Sequence, residues 1–169
     1  MLIYTIGTSD RSLADFLQQL QSRKIRHLID ARSSPYSRYS HFSRPQMQRW
    51  CEHEGVFYDF AGEVLGGRCD LSAVNPAFVA RLRRVVDASL REPVALMCAE
   101  GDPRVCHRTT KLAAALLVTY GITAVSILRD GNDEVVTKTL AAMNAATIPE
   151  EIRHAVQRSL GRPTTPRLL

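Results

Sequence analysis

Residues 98 to 108 read Cys-Ala-Glu-Gly-Asp-Pro-Arg-Val-Cys-His-Arg, which sets two thiols, two carboxylates, an imidazole and two guanidinium groups within eleven positions. Nearby cations and a helix N-terminus lower the pKa of a thiol, and a helix N-terminus also attracts anions. Thiolate attack, proton transfer and anion capture are the chemistry open to these residue types. The candidate reactive groups are Cys98, Glu100 and Cys106. The apolar run Pro93-Val-Ala-Leu-Met97 before them reads as a buried strand, and Thr109-Thr-Lys-Leu-Ala-Ala-Ala-Leu-Leu117 after them as a helix. Asp102 is then the helix N-cap and Pro103 its first residue. That places Cys106 in the first helical turns, beside Arg104 and Arg108. Glu100, at the loop crest, can serve as general acid or base. Each group also has a plainer role: the cysteines can pack as small apolar side chains, and Glu100 can pair with Arg108 or Arg32.

The spacing Cys98-x-x-Gly101-x-x-Arg104 is that of the oxyanion-holding loop in cysteine-dependent phosphatases and arsenate reductases. Such a loop needs a strand-end thiolate, backbone N–H groups curled around the anion and an arginine to stabilise it. Here Glu100 and Asp102 put negative charge where a dianion would sit, and Pro103 removes one N–H donor. The loop is a poor phosphate cradle. A redox pair of Cys98 and Cys106 needs Cα atoms within about 7 Å, which eight positions across a strand–loop–helix corner permit without requiring. His107 beside two cysteines fits no familiar zinc spacing, so no metal is expected, and no cofactor.

Strand and helix alternate along the rest of the chain. Leu2–Ile6, Arg26–Ile29, Val56–Phe60, Val94–Met97 and Ile122–Leu128 read as strands. Helices are expected after Ser12, from Ser43 to about Glu54, from the Asn75-Pro76 start, from near Pro103 to Tyr120, and at about 133–145 and 149–159. Short continuous apolar strands of this kind indicate an α/β fold of three layers, with a mostly parallel five-stranded sheet and helices on both faces. A single domain is expected over 1–160, with a flexible tail over 161–169. In parallel sheets ligands bind beyond the carboxyl ends of the strands. Gly7–Ser9, Asp30–Ser34, Glu63–Arg68 and Cys98–Arg108 are therefore expected on one rim.

Four ordered segments carry a resemblance: Thr5-Ile-Gly-Thr-Ser9; Asp30-Ala-Arg-Ser-Ser-Pro35 with Ser37-Arg38; Leu65-Gly-Gly67; and Met97-Cys-Ala-Glu100 with Cys106-His-Arg108. In order and spacing the chain resembles, over roughly residues 2 to 130, the bacterial and archaeal "domain of unknown function 488" family. The resemblance implies a cytoplasmic α/β domain of about this size without an established activity. The family's first motif typically ends in His-Ser, whereas this chain has Thr8-Ser9, so a proton-transfer role for that histidine does not carry over.

From Arg32 to Trp50 cations and rings interleave: Arg32, Tyr36, Arg38, Tyr39, His41, Phe42, Arg44, Arg49 and Trp50. Rings stack on bases while arginines meet phosphates, as nucleotide or nucleic-acid binding requires. Phe42 and Trp50 are equally suited to anchor a core. Asp30 can hold Arg32 in place for an anionic ligand. The expected ligand-binding set is Ser9, Asp30, Arg32, Ser33, Arg38, His107 and Arg108.

Net charge is +5 with pI near 9.3, carried mostly by arginine, which favours bidentate recognition of phosphate or carboxylate. No apolar run approaches the roughly 20 residues that span a bilayer, and Met-Leu-Ile-Tyr-Thr-Ile lacks a positive leader, so a cytoplasmic location without a membrane partner is expected. Four cysteines without CxxC spacing are expected to be reduced. Three readings remain open: a site, catalytic or not, for a phosphorylated or otherwise anionic ligand such as a nucleotide or nucleic acid; a non-catalytic nucleic-acid accessory module; and a thiol redox sensor.

Overall fold

The computed structural model of the chain describes residues 1–9, 11–143 and 148–161. The expected tail lies, beyond Gly161, outside the described residues. The elements, in chain order, are β1 (Ile3–Gly7), α1 (Leu13–Ser22), β2 (His27–Asp30), α2 (Arg44–His53), β3 (Phe57–Phe60), a short α3 (Gly62–Leu65), α4 (Pro76–Ser89), β4 (Val94–Cys98), α5 (Ala114–Tyr120), β5 (Val125–Ile127), β6 (Asp133–Val135), α6 (Val136–Ala142) and α7 (Glu150–Leu160). The strands form one sheet in the order β3-β2-β4-β1-β5-β6. Five strands run parallel, and β6 pairs antiparallel with β5, Ser126 opposite Glu134.

Alternation along the buried strands divides the core. Ile3, Ile29, Val94 and Leu96 pack with α4, α5, α6 and α7 on one face. Tyr4, Ile6, Leu28, Ala95, Met97 and Ile127 pack with Phe16 and Leu20 of α1 and Met47 of α2 on the other. The protein is thus α/β, with helices covering both faces of a mostly parallel sheet. Helix starts follow the sequence. The Ser12 side chain accepts a hydrogen bond from Asp15 N at 3.1 Å, and Asn75 Oδ1 accepts from Ala77 N at 3.1 Å. Among the described residues no helix is long and apolar enough to cross a membrane.

Two expectations need correction. The sheet has six strands rather than five, because the segment expected to begin a helix at about 133 first returns along β5. An Asx turn starts the return, Asp130 Oδ1 accepting from Asn132 N at 3.0 Å, and Leu128 N then donates to Asn132 O at 2.8 Å. The helix expected from Pro103 to Tyr120 is broken. Pro103–Val105 forms a 3-10 turn, Cys106 is extended at φ −99° and ψ 137°, and Arg108–Ala113 is a π-helical stretch leading into α5. Short π-helical segments are rare and concentrate at functional sites.

The strand order brings three sequence-distant ends to one rim. Thr8 N donates to Cys98 O and Ser9 N to Ala99 O, both at 2.9 Å, while Ala31 N donates to Met97 O at 2.9 Å. Gly7 permits this closure: a Cβ there would lie 2.0 Å from the Glu100 carbonyl oxygen, an approach only glycine allows.

Candidate functional site

Cys98 is the last residue of β4, so its position is fixed by the central strand. The loop after it is shaped locally. Asp102 caps the 3-10 turn, accepting from Arg104 N at 2.9 Å, and Cys106 stands at the junction where the helix restarts. Its carbonyl receives Thr109 N and Thr110 N, each at 3.0 Å. Strand end and helix start then face one another across His107. The Nδ1 atom of His107 lies 3.6 Å from Cys98 Sγ and 3.9 Å from Cys106 Sγ, while its Nε2 is 3.0 Å from the carbonyl oxygen of Ala31. That carbonyl fixes Nε2 as the donor end and turns Nδ1 to the sulphurs. Gly67 covers the ring, because a Cβ there would meet His107 Nδ1 at 3.1 Å.

Arg108 supplies the charge. It is fully buried, and its guanidinium donates to the carbonyl oxygens of Glu100 and, at 3.1 Å, of Gly101. No carboxylate pairs with it among the described residues. Its Nε and the hydroxyl of neighbouring Thr109 are buried without a hydrogen-bond partner. An unpaired buried cation favours a negative group beside it. A hydrogen bond from Cys98 holds the Cys106 thiol below the ordinary cysteine range, against burial, with His107 and the Arg108 charge acting in the same direction. The same hydrogen bond pushes Cys98 up, reinforced by burial and by the charge on Cys106. Burial alone would lower His107, but its bond to the Cys106 sulphur and that sulphur's charge raise it overall. The two thiols are therefore driven apart, one held low and the other pushed up, with a histidine raised beside them.

The other expected site residues divide. Ser33 Oγ accepts from Arg68 N at 3.2 Å and lies against Gly66, and Ser9 sits against Gly101, so both are on the rim. Arg32 is not free to grasp a ligand. It is buried, its Nε and Nη2 donate to Asp30 at 2.9 and 2.7 Å, and Tyr58 donates to the same carboxylate at 2.6 Å. Arg38 is exposed and stacks over Tyr39 at 5.0 Å. Glu100 points outward and meets Arg108 through its backbone carbonyl rather than through its carboxylate. Arg104 turns away to Asp102 with 66% of its side chain exposed, so the phosphatase-type cradle is not built. The rings of the 32–50 segment are mostly structural. Phe42 is buried against Phe16, and Trp50 Nε1 donates to His41 O at 2.9 Å.

Sequence reasoning missed Tyr58 and the Ala31 carbonyl. Their roles depend on β3 and β4 flanking β2, which no local pattern encodes. Cys98, Cys106 and His107 could hold a metal ion, since their donor atoms all lie within 4.8 Å of one another. A cavity of about 310 Å³, lined by His27, Asp59 and Arg81 between β2, β3 and α4, contains none of these groups.

The model of the family described as "Domain of unknown function DUF488" matches residues 12–76. The match takes in Asp30, Arg32, Ser33, Arg38 and Gly67 and ends before Cys98 and Cys106. No curated protein matches the chain. One similar solved chain, described as "Protein Tyrosine Phosphatase (putative) from Leishmania major", is 15% identical with a TM-score of 0.45, over 92% of this chain and 85% of that one. At that score the likeness carries no argument about activity. The finding with weight is the first: over residues 12–76 this chain resembles the DUF488 family.

Proposed function

We propose that this chain binds a compact anionic group at the carboxyl rim of its sheet, such as the phosphate of a nucleotide or nucleic acid, and acts on it with the Cys106 thiolate. The observation behind this reading is the buried Arg108 guanidinium, set beside two thiols with no carboxylate among the described residues to neutralise it. An arriving oxyanion would find the Arg108 Nε and the Thr109 hydroxyl as unused donors. His107 would donate a proton to a leaving group, and Cys98 would steady the thiolate by hydrogen bonding. Ser9, Ser33 and Arg38 would meet the rest of the ligand at the surface. With Cys98 only 5% and Cys106 only 1% exposed, access is narrow, which favours a small charged group over a whole base.

The test is residue-resolved labelling of the full chain by a compact thiol reagent near neutral pH, with and without inorganic phosphate or a nucleotide. The Cys98–Cys106 pair is expected to react ahead of the more exposed Cys69, and the anion to slow it. Labelling of Cys69 first, with no effect of anion, would refute the reading. A nucleic-acid ligand would further show protection that weakens steeply with salt, beyond the change for a free nucleotide. The closeness of the two sulphurs, within 4.8 Å, favours one second reading, a dithiol redox sensor. That reading expects a reversible loss of two hydrogens per chain under mild oxidant.

A further inference from the structure

The cysteines and histidine of the rim come from a strand end, a helix junction and a helix start, so their spacing in sequence hides what the fold assembles. We propose that Cys98, Cys106 and His107 form a zinc site whose fourth coordination position is open to an anionic ligand. The metal ion follows from geometry alone. Only the identity of the fourth ligand rests on the function proposed above.

Zinc binds thiolate sulphur at about 2.3 Å and imidazole nitrogen at about 2.0–2.1 Å in a tetrahedron, which sets each S···N separation near 3.6 Å. The observed separations from His107 Nδ1 are 3.6 Å to Cys98 and 3.9 Å to Cys106. All three donor atoms fall within 4.8 Å of one another, the spacing of ligands that share one ion. The second observation is the far side of the imidazole. Zinc-bound histidines usually give their other ring nitrogen to a carbonyl or carboxylate, which fixes the tautomer and aims the ligating atom. His107 Nε2 makes that contact with the Ala31 carbonyl at 3.0 Å.

The donor set selects the ion. Two sulphurs and an imidazole with no carboxylate suit zinc and exclude magnesium and calcium, which take oxygen ligands. The cluster contains no fourth Cys, His, Asp or Glu among the described residues. Three protein ligands and one open position are the mark of a reactive zinc site rather than a purely structural one. Charge dictates what fills the opening. Two thiolates neutralise Zn²⁺, which leaves the buried Arg108 as an uncompensated positive charge, so the fourth ligand is an anion. Metal entry displaces the protons carried by the ligating sulphur and nitrogen atoms into water. The bound ion would also shield both sulphurs from alkylation.

The experiment adds zinc to the metal-free full chain and follows binding by calorimetry, with cobalt as a spectroscopic probe. One ion per chain and thiolate-to-cobalt charge-transfer absorption are expected. Cys98→Ser, Cys106→Ser and His107→Ala should each weaken zinc by at least about 100-fold, while Cys69→Ser leaves it unchanged. Because these variants alter buried positions, a parallel measurement uses the wild-type chain. Zinc should protect Cys98 and Cys106, but not Cys69, from labelling, and raise the unfolding temperature. Zinc binding equal in wild type and Cys98→Ser, zinc that protects no thiol, or tight copper(I) binding without zinc binding would each overturn the proposal. A negative zinc result beside fast, anion-sensitive labelling of the metal-free thiols would sink the metal and leave the thiolate function standing.

Discussion

Asp30→Ala is expected to remove about 3–5 kcal/mol of folding stability, because it strands the buried Arg32 guanidinium without its counter-charge. The carboxylate is wholly buried and accepts two guanidinium bonds from Arg32, the backbone N–H of Arg32 at 3.1 Å and the Tyr58 hydroxyl. Its charge leaves its mark on both partners. The Tyr58 hydroxyl is pushed well above its ordinary range by burial and by Asp30. Burial alone would lower Arg32, but the bond and charge of Asp30 raise it. Urea unfolding of the variant should show a lower midpoint at an unchanged slope. The double variant Asp30→Leu with Arg32→Met should recover most of the loss, since a buried pair replaced by apolar groups is often neutral. This outcome identifies Arg32 as an anchor of the rim rather than a ligand arm. A near-neutral Asp30→Ala would mean that Arg32 swings out to solvent and is available to an anion after all.

The second large effect is expected at Arg108. Arg108→Met removes the donor to the Glu100 and Gly101 carbonyls, and the loss of two charge-assisted bonds in a partly buried loop amounts to about 1–3 kcal/mol. It also withdraws the charge that helps hold Cys106 low, so the thiol should titrate closer to the ordinary cysteine value. The pH dependence carries the signature. A depressed Cys106 contributes stability above its ordinary value and loses it as pH falls through the folded value. A raised His107 contributes below its ordinary value of 6.5 and loses that as pH rises through its folded value. Between 6.5 and the folded His107 value the two oppose one another. Below 6.5 the His107 contribution no longer changes and the Cys106 loss leads, joined in the carboxylate range by Asp59 and Asp102, whose pKa values are also lowered, so wild-type stability falls with acid. Arg108→Met should flatten that limb in unfolding experiments at stepped pH. A variant with full stability and an unchanged limb would show that Arg108 neither supports the loop nor acts on the thiol.

The architecture was legible because the central strands β1 and β4 are short, mostly apolar runs and several helices have clear starts, as at Asn75-Pro76. Strand β6 was not, because Asp133-Glu-Val135 has no apolar pattern and owes its pairing to the preceding turn. The rim could be foreseen from the carboxyl-end rule, and the fold does place Ser9, Ala31 and Cys98 side by side. The break at Cys106 could not, since a single extended residue between two helical turns leaves no trace in composition. The same break hid the three-donor cluster. A strand-end cysteine and a Cys-His pair eight positions on match no familiar ligand spacing, yet the loop folds them around one ring. The fates of the arginines depended on partners from other strands. Asp30 stands two residues from Arg32 and captures it, whereas Arg108 reaches carbonyls of its own loop and keeps its charge exposed to the thiols.

Whether a thiolate resides at this rim near neutral pH is decided by the far-ultraviolet absorbance of thiolate, titrated in the chelated wild-type chain. About one thiolate per chain is expected already at about pH 7, fading only well into the acid range and absent in Cys106→Ser. A chain that shows no thiolate until the ordinary cysteine region near about 8.5 would contradict that expectation.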